Sequence, residues 1–522
     1  MRKPVLWIVL LVVAVAAGAG GYYGWTRLHE YSGEQFRIGL DQWIKTLPPG
    51  YAMTYKTAEY NVATDTATVG GVGLKGTGAQ VFEATIDQIE VSKPSADFVA
   101  GWAQAAANPA ALAQDKALPV AGSITVKGAS LHAGSASATM GSTRVDGLRL
   151  YPWALLHSGV PSWTEAQAPF LNRTEPAKLE DILPLMRLEA AIMLGIGYDG
   201  YIAENVQAMG KMPATPQTPE TDVTYTIRKL SGTGFDHGSW SGGGGEGFTM
   251  QGAPFGTITI DHVTMGAMSA QKPLTQLLSG DTLAPGMLDG LALGQIEYAG
   301  MKVQTPDGKE IPIGTFSISK IGFSKGVPVS GEFSYAGLKL SKALIPDPRV
   351  KDAFEKLGLD TLTLSLGGSY EWNLEKKQIT VRNVALKVDE LGAVNFSADL
   401  AEMAPGPDWQ AHGSLAHAAL RYDDASLADR AFKAASLQTN VDPAALRQQV
   451  AMMVDIRAAA LGDSPAIAAA AKAVKTFLGA PHSLMVELAP PTPVAFTAFQ
   501  AAGTMKPEDI AVMVGLSVTA NK

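Results

Sequence analysis

A regular alternation of apolar and polar residues between positions 291 and 420 limits the folds open to this chain more than any other feature. Leu362, Leu364 and Leu366 alternate with threonine and serine, and the same period of two recurs along the segment. This period places alternate side chains on opposite faces of a strand. The sequence Thr-Pro-Asp-Gly at 305–308 is a strong turn signal between two such runs. Short strands joined by close turns predict an antiparallel meander with one apolar and one polar face.

The region before this meander predicts further strands, interrupted by helices. The strand candidates are 51–60, 69–74, 86–91, 123–131, 138–150, 223–230 and 256–265. A short amphipathic helix is expected before the first of them, an alanine-rich helical insertion over 96–117, and a helix over 179–194. Four glycines at 242–245 separate the last two strand candidates, and they are interpreted as a flexible hairpin tip.

The last hundred residues predict mainly helices, at 426–435, 443–461 and 466–478. Asp442 and Ser464 are N-cap candidates, because each precedes a proline at the first helical position. Met452 and Met453 are interpreted as ordinary core packing, with an amphipathic lid as the alternative. Runs at 483–488 and 494–499 predict two further strands, and a run at 516–519 is expected to close the sheet.

The first 27 residues predict a membrane-spanning signal anchor. Arg2 and Lys3 precede an apolar run over 4–25 that contains no charge and ends in aromatic residues. At about 1.5 Å per residue, such a run can cross a hydrocarbon core of about 30 Å. The leading positive charges keep the N-terminus in the cytoplasm, so the remainder is expected on the other side of the membrane. A cleaved signal peptide is the alternative, because small residues at 14–21 offer a cleavage site.

Composition excludes several classes of protein. Hydrophobic residues make up 46% of the 522 residues and charged residues 17%, a balance that a disordered chain does not have. The net charge is −8, with no basic run after the first three residues. Nucleic acid is therefore not expected as a partner. The chain has no cysteine, which excludes disulfides, thiolate metal sites and cysteine nucleophiles.

The predicted fold class is α+β and β-dominated. It consists of a transmembrane helix, then an extended, curved antiparallel meander with helical insertions, then a helix-rich C-terminal part. Four regions are expected: the anchor at 1–27, an N-terminal β-rich region with helical insertions at 28–222, the meander at 223–420, and a helix-rich region with closing strands at 421–522.

Glycine motifs do not support a nucleotide site. Gly195, Gly197 and Gly200 spell G-x-G-x-x-G, but a dinucleotide site needs this motif between a strand and a helix. Here it follows a predicted helix and is interpreted as a helix end. The glycines at 242–245 lack the lysine of a P-loop, and the segment around Ser239 has tryptophan where a nucleophilic serine would stand.

Scattered histidines offer one weak candidate for chemistry. The eight histidines are His29, His132, His157, His237, His262, His412, His417 and His482. The sequence pairs Asp236-His237 and Asp261-His262 could meet across a hairpin and bind a metal or act as acid and base. The favoured interpretation is that each of these pairs is an ordinary solvent-exposed pair of polar side chains. His412 and His417, five apart in a predicted strand, are expected on opposite faces.

Charged residues near position 423 predict a structural network. Asp423 and Asp424 stand beside Arg421, Asp429 and Arg430, and Asp424 is placed to cap the following helix. With no stronger motif in the chain, no catalytic, cofactor-binding or metal-binding residue is predicted, and no cofactor is expected.

The whole pattern resembles a group of bacterial single-pass envelope proteins. The resemblance rests on the N-terminal anchor, the sequence Leu-Pro-Pro-Gly at 47–50 before the first strand, and hairpins such as the one over 370–388. The group includes the AsmA-like family and the YdgA-like proteins, which contain domain of unknown function 945. Membership would imply a tapered β-groove whose apolar interior carries phospholipid. Neither family supplies a catalytic motif, so no site residue is carried over.

The expected function is that of a non-enzymatic envelope protein anchored in the inner membrane, with its body in the periplasm. Its apolar sheet face would bind lipid or another amphiphile, or assist envelope assembly, because such a face must be buried under helices or around an acyl chain. The expected partners are the inner membrane through the N-terminal helix, lipid, and other envelope proteins. The alternatives are an envelope scaffold with no small ligand, or a periplasmic hydrolase.

Overall fold

The computed structural model shows a β-rich protein in which strands take 51% and helices 28%. The residues described here are 33–45, 47, 50–77, 81–157, 160–161, 179–212, 220–253, 256–280, 286, 288–345, 347–405, 409–462, 464–501 and 504–522. The signal anchor predicted over 1–27 lies outside these residues.

The predicted fold class is wrong in its membrane-spanning component. Within the described ranges, no helix combines the length and the apolar character needed to cross a membrane. The longest, Pro443–Ala460, has 18 residues, and Arg447, Asp455 and Arg457 interrupt its apolar sequence.

The chain forms two compact units. The first contains the described residues up to Tyr298 together with Val303–Lys309, and the second contains Ala299–Lys302 and Glu310–Lys522. Strand β13 (Ile296–Gln304) is divided between them.

In its described residues, unit 1 is an antiparallel sheet with five α-helices. The helices are α1 (Gly33–Ile44), α2 (Phe98–Ala107), α3 (Pro152–Leu155), α4 (Leu179–Gly195) and α5 (Gln271–Ser279), and the strands are β1 (Tyr51–Thr54), β2 (Thr57–Asn61), β3 (Thr66–Gly76), β4 (Phe82–Pro94), β5 (Leu118–Ala133), β6 (Ala136–Leu150), β7 (Ile196–Met212), β8 (Thr221–Asp236), β9 (Ser239–Gly252), β10 (Gly256–Met265), β11 (Met268–Ser269) and β12 (Ala292–Leu293). Strands β1 and β2 both pair with β3, and each strand from β3 to β10 pairs with the next.

Unit 2 repeats the antiparallel meander and adds most of its helices near the C-terminus. Its elements are β14 (Glu310–Ser324), β15 (Val327–Ser341), α6 (Pro348–Lys356), β16 (Thr361–Asn373), β17 (Gln378–Val388), β18 (Gly392–Ala401), α7 (Trp409–His412), β19 (Ser414–Asp424), α8 (Leu427–Thr439), α9 (Pro443–Ala460), α10 (Pro465–Gly479), β20 (Ser483–Leu488), β21 (Val494–Ala495), α11 (Phe496–Ala501), α12 (Pro507–Met513) and β22 (Leu516–Ala520). Strands β14 to β20 pair in chain order, β21 pairs with β19, and β22 pairs with β20.

The apolar face of unit 1 is closed. Val72, Ile86 and Ile89 are only 1–3% exposed, and they share one core with the neighbouring strands. Phe36 and Leu40 of α1 belong to the same core, so the amphipathic helix expected from the sequence covers this part of the sheet.

A row of residues crosses unit 1 and shifts the side-chain period of its strands. We call it the phase-shift row, and it contains one residue from each strand between β3 and β10: Gly71, Asp87, Gly128, Gly141, Asn205, Arg228, Gly247 and Asp261. On alternate strands the backbone is left-handed, with φ of 62° at Gly71, 61° at Gly128, 55° at Asn205 and 65° at Gly247. Such a conformation favours glycine or asparagine, which explains the residue types.

The four glycines at 242–245 lie inside β9, so the predicted hairpin tip is wrong. The turn is instead formed by His237 and Gly238, which both have positive φ and join β8 to β9 directly. The glycines in the strand are required by close neighbours. A Cβ at Gly243 would lie 2.7 Å from Cζ2 of Trp240, and one at Gly244 would overlap the carbonyl oxygen of Val263.

The phase-shift row predicts a graded response to substitution at Gly128. Gly128→Ala should lower the free energy of unfolding by about 2 kcal/mol or more, because a Cβ is unfavourable in the left-handed region and would overlap the Asp87 carboxylate, which must move. Gly128→Asn should cost less, since asparagine tolerates this region and occupies the row at Asn205. Urea denaturation followed by circular dichroism measures both.

Gly210→Ala is the matched control, because Gly210 is also in a strand but has open space around its Cα and no positive φ. This change should be neutral or slightly stabilising. Equal losses at Gly128 and Gly210 would contradict the role given to the row.

Candidate functional site: an uncovered apolar sheet face

The strands of unit 2 place apolar side chains on one face of the sheet, as the period of two predicts. Leu366 of β16 pairs with Leu386 of β17, and Phe396 of β18 pairs with Leu420 of β19. Leu420 in turn pairs with Val486 of β20. The apolar face therefore continues from strand to strand through the second unit.

The centre of this face is exposed to solvent. Its most exposed members are one residue on each of β15 to β19: Phe333 (38%), Leu366 (41%), Leu386 (46%), Phe396 (38%) and Leu420 (44%). We call these five residues the open apolar row. At about 4.8 Å between neighbouring strands, the row extends for about 19 Å across the sheet.

Helices cover the same face on either side of the row. At one end of the strands, Phe477 of α10 packs edge-on against Tyr422 of β19, with ring centroids 5.9 Å apart. At the other end, Phe496 and Phe499 pack over a buried cluster formed by Ala398, Leu415 and Ala418. The row lies between these two covered parts.

Gly368 makes room for the Phe333 ring of the open apolar row. It is buried, and it pairs with Phe333 across β15 and β16. A Cβ at this position would lie 3.0 Å from Cγ2 of Val384 and 3.2 Å from Cε1 of Phe333. The missing side chain therefore lets the Phe333 ring and Val384 approach each other over the sheet.

The opposite face of the same strands carries a row of charged side chains. His417 of β19 lies between two carboxylates: its Nε2 is 2.9 Å from Oε1 of Glu487, and its Nδ1 is 4.0 Å from Oδ2 of Asp399. Arg382 donates to Asp399 over 2.6 Å. These residues, on β17 to β20, give the sheet a polar face opposite the open apolar row.

His412 lies in α7, so the prediction that His412 and His417 occupy one strand is wrong.

The structure does not bring together the two Asp-His pairs that were the candidate for chemistry. Asp236 faces Ser239 at the end of β9, whereas His262 faces Glu246 in the middle of that strand. Seven residues along β9 separate these partners, which is about 23 Å. Among the residues described, no group of three or more His, Cys, Asp or Glu side chains could hold a metal ion.

Asp236 belongs instead to a structural cluster at one end of unit 1. It accepts hydrogen bonds from the Tyr151 hydroxyl at 2.5 Å and from Nε of Arg149 at 3.0 Å. Arg149 also donates to Asp199 at 2.8 Å. Burial, followed by the bond to Asp236, raises the pKa of Tyr151. Burial alone would lower the pKa of Arg149, but its bonds to Asp199 and Asp236 outweigh that effect and raise the pKa. Both groups therefore stay protonated as fixed donors.

His237 connects this cluster to the end of α4. It is 6% exposed, its ring lies 4.5 Å from that of Tyr151, and its Nδ1 is 2.6 Å from the carbonyl oxygen of Leu194. A carbonyl can only accept, so Nδ1 carries the proton. The side chain thus satisfies one of the last carbonyls of the helix, which ends at Gly195 as the glycine pattern there predicts.

The charged residues near position 423 form separate contacts rather than one site. Asp424 accepts from the backbone N–H of Ala428 at 3.0 Å, which confirms its predicted role at the start of α8. Asp423 accepts from Nε of Arg421 at 2.8 Å. Arg430 donates to the carbonyl oxygens of Leu357 and Gly358, at 2.7 and 3.0 Å. These charges therefore make structural contacts, but not the single network that the sequence predicts.

Truncating Leu386 tests whether the row is uncovered. Leu386→Ala should lower the free energy of unfolding by less than about 1 kcal/mol, because nearly half of the side chain is already in water. Ile86→Ala, at a 2% exposed position of the closed face in unit 1, should cost about 2–5 kcal/mol. Chemical denaturation of both variants provides the comparison, and similar losses would show that Leu386 is covered.

Removing the His237 side chain should weaken unit 1. His237→Ala leaves the Leu194 carbonyl without its partner and keeps a Cβ at a φ of 46°, so a loss of about 2 kcal/mol is expected. Asparagine tolerates this backbone conformation, so His237→Asn separates the contribution of the backbone conformation from that of the lost hydrogen bond. A variant as stable as the wild type would mean that the contact to α4 contributes nothing.

Comparisons with known proteins say little about function. A family model described as "Uncharacterized protein" matches residues 385–521, about a quarter of the chain. This segment contains Leu386, Phe396 and Leu420 of the open apolar row, and most of the helices beside them. No curated protein matches the chain. The resemblance to AsmA-like and YdgA-like proteins stays a prediction.

Proposed function

We propose that this protein is a non-catalytic envelope protein that holds the acyl chain of a lipid or another amphiphile on the open apolar row. The observation that carries the proposal is the contrast between two similar sheet faces. The face of unit 1 is closed, with Val72 only 1% exposed, whereas Leu386 at the centre of the unit 2 face is 46% exposed. A contiguous exposed apolar surface typically marks a binding site.

The energetics support an apolar ligand. Complete burial of a leucine or phenylalanine side chain contributes about 1.5–3 kcal/mol. Covering the exposed two fifths of the five side chains in the row would therefore contribute roughly 3–6 kcal/mol. The lower part of that range corresponds to millimolar binding before any headgroup contact is added.

The groups available in the row favour binding over catalysis. Its five members carry no titratable atom, and the nearest charged row, formed by Arg382, Asp399, His417 and Glu487, is on the opposite face of the sheet. The five side chains of the row would offer an acyl chain carbon atoms only. Export of the body to the periplasm is part of the proposal, and the lack of cysteine and the charge pattern before the apolar run at 4–25 support it.

Titration of the full chain with a dansyl-labelled fatty acid tests the proposal. Wild-type protein should raise and blue-shift the dansyl emission. Leu386→Lys and Phe396→Lys should each weaken binding about 10-fold or more, because a charge placed in the row must be desolvated by the acyl chain. Unchanged affinity in both variants, with circular dichroism showing intact folding, would exclude the row as the site.

Ile202→Lys is the matched control. Ile202 is a strand residue of unit 1 with a similar exposure of 41%, so its replacement should leave the titration unchanged. Organic extraction of the purified chain followed by mass spectrometry identifies the natural occupant and separates phospholipid from free fatty acid. A chain that neither carries lipid nor binds the probe would favour the envelope scaffold instead.

A further inference from the structure

Helix α9 turns three of its large apolar side chains outward. Met452, Met453 and Ile456 are 57%, 60% and 69% exposed, and their spacing places them within about 100° of the helix circumference. We call these three residues the outer face of α9. The interpretation of both methionines as core packing is therefore wrong.

Small residues occupy the inner side of the same helix. Ala451, Val454 and Ala458 are half-buried, and they follow the three- and four-residue spacing of a packed helix face. Two ion pairs join the helix to its neighbours in this orientation. Arg447 pairs with Asp429 of α8, and Asp455 pairs with Lys475 of α10 over 2.6 Å. With the small residues turned inward, the methionines expose apolar surface that a purely structural helix would bury.

The helices around this face are positively charged in an acidic protein. Residues 427–479 contain six basic and four acidic residues, a net charge of +2, while the whole chain carries −8. Three of the four carboxylates have assigned roles, since Asp429 and Asp455 are ion-paired and Asp442 accepts from the first N–H groups of α9. Exposed cations remain on all three helices, at Lys433, Arg457 and Lys472.

We propose that the outer face of α9 docks onto the surface of a bilayer containing anionic lipid. The methionine and isoleucine side chains would enter the boundary between headgroups and acyl chains, while the surrounding cations would meet lipid phosphates. Charge decides between this occupant and a second copy of the chain. Two copies joined through this face would bring two positively charged segments together, whereas an anionic membrane complements them.

The absence of native cysteine allows a site-specific test on the full chain. Met453→Cys is labelled with the fluorophore NBD and mixed with vesicles of phosphatidylglycerol and phosphatidylcholine that carry nitroxide-labelled acyl chains. NBD emission should shift to the blue and be quenched. Vesicles of phosphatidylcholine alone, or 0.5 M salt, should reduce the quenching severalfold, because screening weakens the attraction of the cations.

Two matched variants complete the test. An NBD label at Val62→Cys, a 66% exposed position in unit 1, should stay unquenched, so attachment of the chain through another segment is not mistaken for docking of α9. Met452→Glu combined with Ile456→Glu should reduce quenching at position 453 about 10-fold. The helix is solvent-exposed there, so both changes should leave the circular dichroism spectrum intact.

Each remaining outcome would overturn the inference. Vesicles that bind the chain without quenching the label at 453, or that quench both labels equally, would exclude docking through α9. A blue shift without vesicles that grows with protein concentration would identify a second copy as the occupant. This inference does not depend on the acyl-chain site: Leu386→Lys should leave quenching at 453 unchanged, and Ile456→Glu should leave the fatty-acid titration unchanged.

Discussion

The constraint on which this fold depends is that long antiparallel strands must keep their apolar residues on one side. In unit 1 the strands reach 17 residues, and the phase-shift row crosses them between their ends. Where a strand meets the row, the interval between consecutive inward residues changes from two to three. It does so between Val69 and Val72, between Ile86 and Ile89, between Val126 and Ala129, and between Met140 and Thr143. Because every strand shifts at the same level, the inward side chains remain aligned and one closed core forms.

Unit 2 meets the same requirement with separate irregularities rather than one aligned row. Its pairings shift around Gly337 of β15, and at a different level around Gly368 of β16 and Asn383 of β17, which face each other. The apolar face is still continuous from Leu366 to Leu420. What differs is the cover: α10 and α11 reach only the two ends of the strands. The open apolar row is thus the part of a normal sheet face for which the described chain supplies no helix.

Much of this could be read from the sequence, and the failures have physical causes. The alternation at 362–366 and 394–398 correctly predicted strands, because each of these runs lies between the positions where strand pairing shifts. Strand β7 was missed because its inward stripe contains Ala203 and crosses the left-handed Asn205, which leaves no simple period. The glycines at 242–245 were misread since their reason lies in neighbouring strands, in the Trp240 ring and the Val263 carbonyl. The open row could be predicted as apolar, but its exposure depends on where distant helices end.

Large apolar residues at the surface of unit 2 argue that this surface was not shaped by folding alone. Elsewhere in the unit both small and large apolar side chains are buried, such as Ala398, Leu415 and Phe477, each less than 10% exposed. Leu386 in the row and Met453 on α9 stay exposed. Burial stabilises in proportion to apolar area, at about 25 cal/mol per Å², so covering these two side chains would stabilise the isolated chain more. Large apolar side chains that a regular sheet and packed helices leave in water gain this free energy only when something else covers them. That is the physical reason for proposing an amphiphile at both surfaces.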